Sequence, residues 1–439
     1  MMRLKPLAFI LSFLVFLLAL SGFAGVGQSR HSSPLVMNRA FALEGGGLYL
    51  KKETSDHFLG SLSDFDEKSP FFKWKGKIEY EDGIKVIRNP QKPLFGEAVL
   101  ELEEDLVIGS ENDQNQMFYE WISIDTDQKG NIYVLDRGNF RIQKFDHNGK
   151  YIQTMGRKGQ GPGEFENPGS IKLDKEGNIY VKDGPKVHFF DQSGSYRKTF
   201  PVPLNMYQFI VTSEGKVLGD RRSFSPQKFS EDIVLMNDEG RTEKTIASYP
   251  SLKMDAMFKQ RSRFILYTPE ICFCSGLDDF AIFGFPSEYR LIAVNSRGEI
   301  LYIIKKDEPE KKISGKERKA IIDELMDTLK KRNPDKKESR EELQKRTFTP
   351  KFRPFFEEIQ IDEEGYIYAS RVRIGPADKR GNEYDVFNKD GYFLYKLYIP
   401  VRLPQMKRGY VYRASPHPET GYFQVRCYKI KNWDPEKIH

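Results

Sequence analysis

From Phe118 to Ile430 the apolar positions come in short alternating or continuous runs of strand length, separated by clusters of Asp, Asn, Ser and Gly. Ile132-Tyr133-Val134, Ile142 to Phe145 and Tyr151-Ile152 are representative. Two turn cassettes punctuate the runs. One enters a strand: Asp127-Gln-Lys-Gly130-Asn-Ile-Tyr-Val134 recurs as Asp174-Lys-Glu-Gly177-Asn-Ile-Tyr-Val181, with weaker copies at Ser213 to Leu218 and Asp362 to Ala369. The other closes a hairpin and ends in Gly149, Gly194, Gly240, Gly298 and Gly391, each preceded by an apolar residue and polar turn formers. In both, Asp or Asn can bond the local main chain and Gly accepts positive φ, so the chain reverses between strands.

Two cassettes per period of roughly 45 residues imply four strands per period, the size of one propeller blade. The expected fold is therefore all-β: a six-bladed β-propeller of four-stranded antiparallel blades. Blades 1 to 5 are expected near Phe118 to Gly156, Phe165 to Phe200, Met206 to Tyr249, Leu266 to Asp307 and Pro354 to Pro400. Only a shortened unit, Tyr410 to Ile430, remains after them. An N-terminal hairpin, Lys75 to Arg88 turning at Asp82-Gly83, has no partner of its own and is expected to complete that last blade. Between blades 4 and 5 the turn glycines Gly298 and Gly391 stand about twice the period apart. A helical insertion, about 308–350, fills the gap. Ser314 and Glu317 form a capping box, and Ile321, Ile322, Leu325, Met326 and Leu329 share one face before Pro334. It reads either as a lid or docking arm or as a solvated helix on the rim.

The first residues change the picture of where this ring works. Arg3 and Lys5 precede an apolar run, Leu7 to Leu20, too short to span a bilayer comfortably, and Gly22 and Ala24 suit a cleavage site. Residues 1–25 are expected to be a signal peptide, 26–70 an extended linker and 71–439 the propeller, in a periplasmic or extracellular protein. The membrane enters only through the rival reading, an uncleaved anchor. A net charge of +6 on 439 residues points to no nucleic-acid partner. Three cysteines, Cys272, Cys274 and Cys427, make no disulfide scaffold and read as buried thiols.

The run Gly156-Arg-Lys-Gly159-Gln-Gly161-Pro-Gly163-Glu-Phe165, then Pro168, the D-x-x-G-N-I-Y-V cassettes, Asp136 or Asp183, Asn139-Phe-Arg141-Ile142 and Phe145-Asp146 together resemble NHL repeats. The likeness is good over blades 1 and 2 and fades afterwards. Asp82-Gly83, Asn89-Pro90 and Leu106-Val-Ile-Gly109 resemble the exported bacterial six-bladed propellers of the TolB-like superfamily. The resemblance implies the same closed ring, and it admits two enzymatic relatives: lyases with several propeller histidines around a metal, and lactonases with a central calcium.

The residues themselves supply no catalytic group, metal site or cofactor to name. His147 stands in a turn and His188 in a strand, with no second histidine at ligand spacing, so His188 is expected to be structural. Asp125 to Gly130 lacks an oxygen ligand at its fifth position, and Gly156 to Gly163 lacks the lysine and helix of a phosphate loop. What stands out is a set of arginines in loops that share one face of a propeller: Arg137, Arg157, Arg221, Arg222, Arg371 and Arg373, with Lys158, Arg261 and Arg263 nearby. Guanidinium suits carboxylate, sulfate or phosphate. The expectation is a non-enzymatic binding or scaffold propeller recognising an envelope protein or an acidic glycan. The alternative is a metal-dependent lyase or lactone hydrolase with its site in the central channel.

Overall fold

The computed structural model describes residues 41–42, 48–49, 73–224, 228–276, 280–332, 338–375, 378–401 and 405–432. The expected signal peptide lies outside them. The chain divides into Met1–Phe72 and Lys73–His439. In the first unit the described residues form one two-stranded pairing, Phe41–Ala42 with Leu48–Tyr49. The second is a six-bladed β-propeller.

Blade 1 comprises Ile122–Thr126, Ile132–Asp136, Arg141–Phe145 and Tyr151–Met155; blade 2 comprises Pro168–Leu173, Ile179–Asp183, Lys186–Phe190 and Tyr196–Pro201. Blade 3 runs from Phe209–Val211 through Val217–Phe224 and Phe229–Met236 to Thr242–Pro250. Blade 4 begins at Cys272–Ser275 and ends at Ile300–Lys306, and blade 5 begins at Phe356–Ile361 and ends at Phe393–Ile399. Blade 6 supplies Gln405–Lys407, Tyr410–Pro416 and Phe423–Ile430 from the C-terminal end.

The cassettes work as their composition requires. Asp127 accepts the main-chain N–H groups of Lys129 and Asn131 at 2.9 and 3.0 Å, and its other oxygen takes the Asn131 amide and the Tyr133 hydroxyl. Asp174 repeats this with Asn178 and Tyr180. Gly130 and Gly177 hold φ near +79° and +85°, where a side chain would be strained. A further repeated bond sits at the opposite face. An aspartate of the second strand in blades 1 to 3 accepts main-chain N–H groups of the loop entering its own blade: Asp136 from Tyr119, Asp183 from Glu166 and Asn167, Asp220 from Tyr207 and Gln208.

Apolar side chains from neighbouring blades meet between them, as in Leu135 and Ile142 against Ile171 and Val181, and Ile233 and Leu235 against Phe283 and Ile292. The blades thus share cores with their neighbours and depend on the ring being closed.

Closure differs from the expectation. Leu102–Ile108 is the fourth strand of blade 6, antiparallel to Phe423–Ile430. The hairpin Lys77–Glu81 and Ile84–Asn89 lies instead on the outer edge of blade 4, with Ile84–Asn89 parallel to Ile300–Lys306. Between the two, Glu97–Val99 adds a parallel strand to blade 5. The N-terminal segment therefore straps the outer edges of blades 4, 5 and 6 in turn. The closing strand escaped hydrophobic patterning because Glu103, Glu104 and Asp105 interrupt it; Glu103 and Glu104 face outward onto Lys431 and Arg426. Asn89 pins the strap. Fully buried, it accepts from Trp74 Nε1 and Phe393 N at 3.1 and 2.8 Å and donates to the Gly391 carbonyl at 2.8 Å.

A chain beginning at Gly109 is expected to lose cooperative thermal unfolding, whereas one beginning at Gln91, lacking only the hairpin, should still melt cooperatively at a lower temperature. Equal loss in both would place the closing role on the hairpin after all.

Candidate ligand-binding mouth of the channel

The inner strands enclose a central channel of about 800 Å³. At the face carrying the loops that enter each blade a second cavity of about 620 Å³ adjoins it, and Gln208, Ile271, Cys272 and Glu357 line both. One wall of that second cavity is the inserted helix α1, Gly315–Arg332, through Ile321, Glu324, Leu325 and Thr328. The Ser314–Glu317 capping box forms as its residues predict. Ile321 and Ile322 are buried, while the following helix α2, Arg340–Arg346, is capped by Ser339 and buries Leu343. Thr347–Phe348 then pairs in parallel with Phe264–Ile265. The insert is packed against the rim and forms a wall of the mouth.

The arginines expected at this face divide into two groups. Arg157 pairs with Glu164 at 2.7 Å, Arg221 with Asp232 at 3.1 Å and Arg222 with Glu270 at 2.5 Å. Arg371 is enclosed. Its guanidinium meets Glu308 at 2.5 Å and Asp385 at 3.5 Å, and Asp385 also accepts from Tyr289 at 2.6 Å and Lys306 at 2.8 Å. Burial opposes ionisation of Asp385, but Lys306 and Arg371 outweigh it and hold the carboxyl below its usual range. Burial and the adjacent Asp385 push the Tyr289 hydroxyl well up. Of the six, only Arg137 and Arg373 are exposed and without an ion pair to a described residue. Arg137 reaches the side chain of Asn167 at 3.1 Å; Arg373 lines a 330 Å³ pocket with Arg353, Arg371 and Tyr267. Composition showed the cations but not the carboxylates that neutralise four of them, since those partners are up to 63 residues away in sequence.

Carboxylates also gather beside the second cavity, Asp220 in its wall and Glu231 behind it, accepting from Ile271 N at 2.7 Å. Asp220 and Glu231 are pushed up, chiefly by burial against which their main-chain donors work. Burial likewise raises the Cys272 thiol well above normal, and Cys272, Cys274 and Cys427 are all free. Lower in the channel Asp125, buried, takes Lys407 of blade 6 and the Leu173 main chain of blade 2, so it bridges three blades. His188 is held between Asp183 at 3.1 Å and Thr199 at 3.2 Å, inside blade 2. Among the described residues no three His, Cys, Asp or Glu side chains converge as a metal site.

The strand order and this channel accord with what the chain resembles. Residues 121–291 match a family model described as a 6-bladed beta-propeller. No curated protein matches the chain. The propeller is similar to the crystal structure of a Bacteroides fragilis protein described as exported, at 14% identity and TM-score 0.45, over 79% of this chain and 100% of that one. A DUF4221 family member from Bacteroides vulgatus stands at 13% identity and TM-score 0.44, over 76% and 99%. Virginiamycin B lyase from Staphylococcus aureus stands at 10% identity and TM-score 0.36, over 76% and 100%. The lyase activity is that protein's own.

Two measurements follow. Arg371→Met should cost about 3 kcal/mol in denaturant unfolding, because it leaves the buried carboxylates Asp385 and Glu308 to share Lys306, while Arg373→Met should stay within about 0.5 kcal/mol. The second concerns Asp362, at the other end of the channel, which burial pushes up to about 7 despite bonds from Tyr368 and Tyr366. A carboxyl raised in the folded state binds its proton more tightly there than when unfolded, so its contribution is present below about pH 4 and is lost as pH rises through about 7. Asp362→Asn, with the same turn acceptor, should flatten the fall in melting temperature between those limits; an unchanged pH profile would exclude Asp362 as its source.

Proposed function

We propose that this chain is an extracytoplasmic, non-enzymatic binding propeller that takes an acidic glycan across the mouth of its channel. The observation that carries the reading is the cavity beneath α1, adjoining the channel and walled by chemically mixed side chains. Tyr207, which carries the Arg222 guanidinium on one ring face, and Tyr267 supply aromatic surface, Gln208, Thr268, Thr328 and Glu324 supply hydrogen-bonding groups, and Leu266, Leu325 and Val372 close the gaps. Sugar rings present hydroxyls at their edges and C–H groups on their faces, which is the complement of such a wall. The acidic groups of the glycan fall at the rim, on Arg373 and Arg137. They do not enter the cavity, whose own charges are mostly carboxylates. The signal-peptide pattern of residues 1–25 supports a location outside the cytoplasm.

Titration calorimetry with polygalacturonate oligosaccharides tests this. Binding should weaken with added salt, Arg137→Glu with Arg373→Glu should lower affinity at least tenfold, about 1.4 kcal/mol, and Thr328→Trp should abolish it by filling the cavity. Equal binding by all three proteins would sink the proposal.

A further inference from the structure

Blade 3 departs from its neighbours in the length of its central hairpin. Val217–Phe224 and Phe229–Met236 have eight residues each, where the corresponding strands of blades 1 and 2 have five. Three extra residues at about 3.3 Å each carry the hairpin roughly 10 Å beyond the blade, on the same face as the channel mouth. Beside it stands the short helix Leu252–Phe258, in the connection to blade 4.

The two elements raise an apolar knob. Phe224, Met257 and Phe258 are 54%, 52% and 56% exposed. Phe229 lies beneath them, 5.3 Å from the Phe258 ring and 6.1 Å from the Phe224 ring. The knob is firmly seated: Ala256 is fully buried, Ser251 N donates to the Phe229 carbonyl at 3.0 Å, and Ser251 Oγ donates to Glu231 at 2.8 Å. Its exposure therefore belongs to the fold. Cations surround the base. Lys253 pairs with Glu270 at 2.8 Å, Lys259 with Asp255 at 2.7 Å and Arg263 with Glu338 at 3.7 Å, and Lys259 also lies 5.7 Å from the Phe229 ring centre. The exposed Lys228 and Arg261 flank the two elements in sequence, so that five cations stand with four carboxylates, Asp255, Glu270, Glu338 and the buried Glu231.

We infer that this knob docks the propeller on an anionic lipid surface, with Phe224, Met257 and Phe258 in the boundary between headgroups and acyl chains. The knob stands on the extended hairpin of blade 3. Its height matches the roughly 5–10 Å to which interfacial apolar groups enter a bilayer, and its cations fall at headgroup level. The attraction to anionic lipid follows from the excess of cations around the base, and the apolar tips supply the part that salt does not screen. This inference stands apart from the glycan reading, which uses α1 and the channel mouth.

The chain from Lys73 to His439 contains the whole closed ring and omits the apolar N-terminal run, so it is the form to test. Vesicles of phosphatidylethanolamine with phosphatidylglycerol should retain it in flotation, and vesicles of phosphatidylcholine should retain it at least tenfold less well. Phe224→Ser with Phe258→Ser should lower retention at least tenfold with polygalacturonate binding and melting behaviour preserved. Lys259→Glu with Arg261→Glu should weaken only the binding to anionic vesicles. Phe258→Trp should shift its emission to the blue on anionic vesicles and be quenched by brominated acyl chains. Retention unchanged by the paired serine substitutions, or a tryptophan at 258 that stays solvent-like on vesicles, would overturn the inference. Concentration-dependent dimerisation in lipid-free buffer that the serine substitutions abolish would also overturn it, by assigning the knob to a second copy.

Discussion

Everything in this propeller depends on one set of main-chain hydrogen bonds, those between Leu102–Ile108 and Phe423–Ile430. Apolar side chains are shared between neighbouring blades, so an open ring would leave two unsatisfied sheet faces and two bare strand edges. The closing strand removes both by joining the two ends of the chain, with Ile108, Val425 and Cys427 buried against Ile122 and Val134 of blade 1. Once the ring is fixed, the inner strands converge on a channel of set width and the loops entering each blade gather around one mouth. The site is a product of closure.

Much of this was legible in the residues because the repeat is written in turn chemistry. An aspartate that must accept several main-chain N–H groups, a glycine that must take positive φ and a tyrosine whose hydroxyl returns to the same carboxylate leave a readable signature at Asp127 and Asp174. The closing strand was hidden for the opposite reason. A blade's outermost strand has one edge and much of its surface in water, so Leu102–Ile108 tolerates three consecutive carboxylates that break the alternation. The hairpin Lys77–Asn89 was expected there because a hairpin without a partner is marginal, and it does find buried surroundings, but elsewhere: Val86 faces the core between blades 3 and 4, and Ile87 turns the other way, toward Gly391 of blade 5. Pattern identified a buried strand but not which blade buries it.

The arginines illustrate a limit of a different kind. Charge can be counted along a chain, but neutralisation is a property of contacts between blades. Arg371 and Asp385 sit on neighbouring strands of one sheet, with Lys306 and Glu308 arriving from the end of blade 4, and together they form an interior polar cluster that no local window contains. Such a cluster is costly to break and contributes modestly when whole. The same arrangement leaves Arg373, two residues on and exposed, with no ion pair to a described residue.

The strap has a bearing on how the chain comes to be folded. Of its four strands, the three that join blades are synthesised before any blade, yet their partners lie between Ile300 and Ile430, so they wait for nearly the entire polypeptide before they can pair. During that interval they are unsatisfied edges of the kind that seed aggregation. The acidic run Glu103-Glu104-Asp105 then has a second use, as a like-charged guard that discourages association of two waiting chains until Arg426 and Lys431 arrive to neutralise part of it. The feature that hides the strand from a hydrophobic pattern is the one that keeps it soluble while it waits.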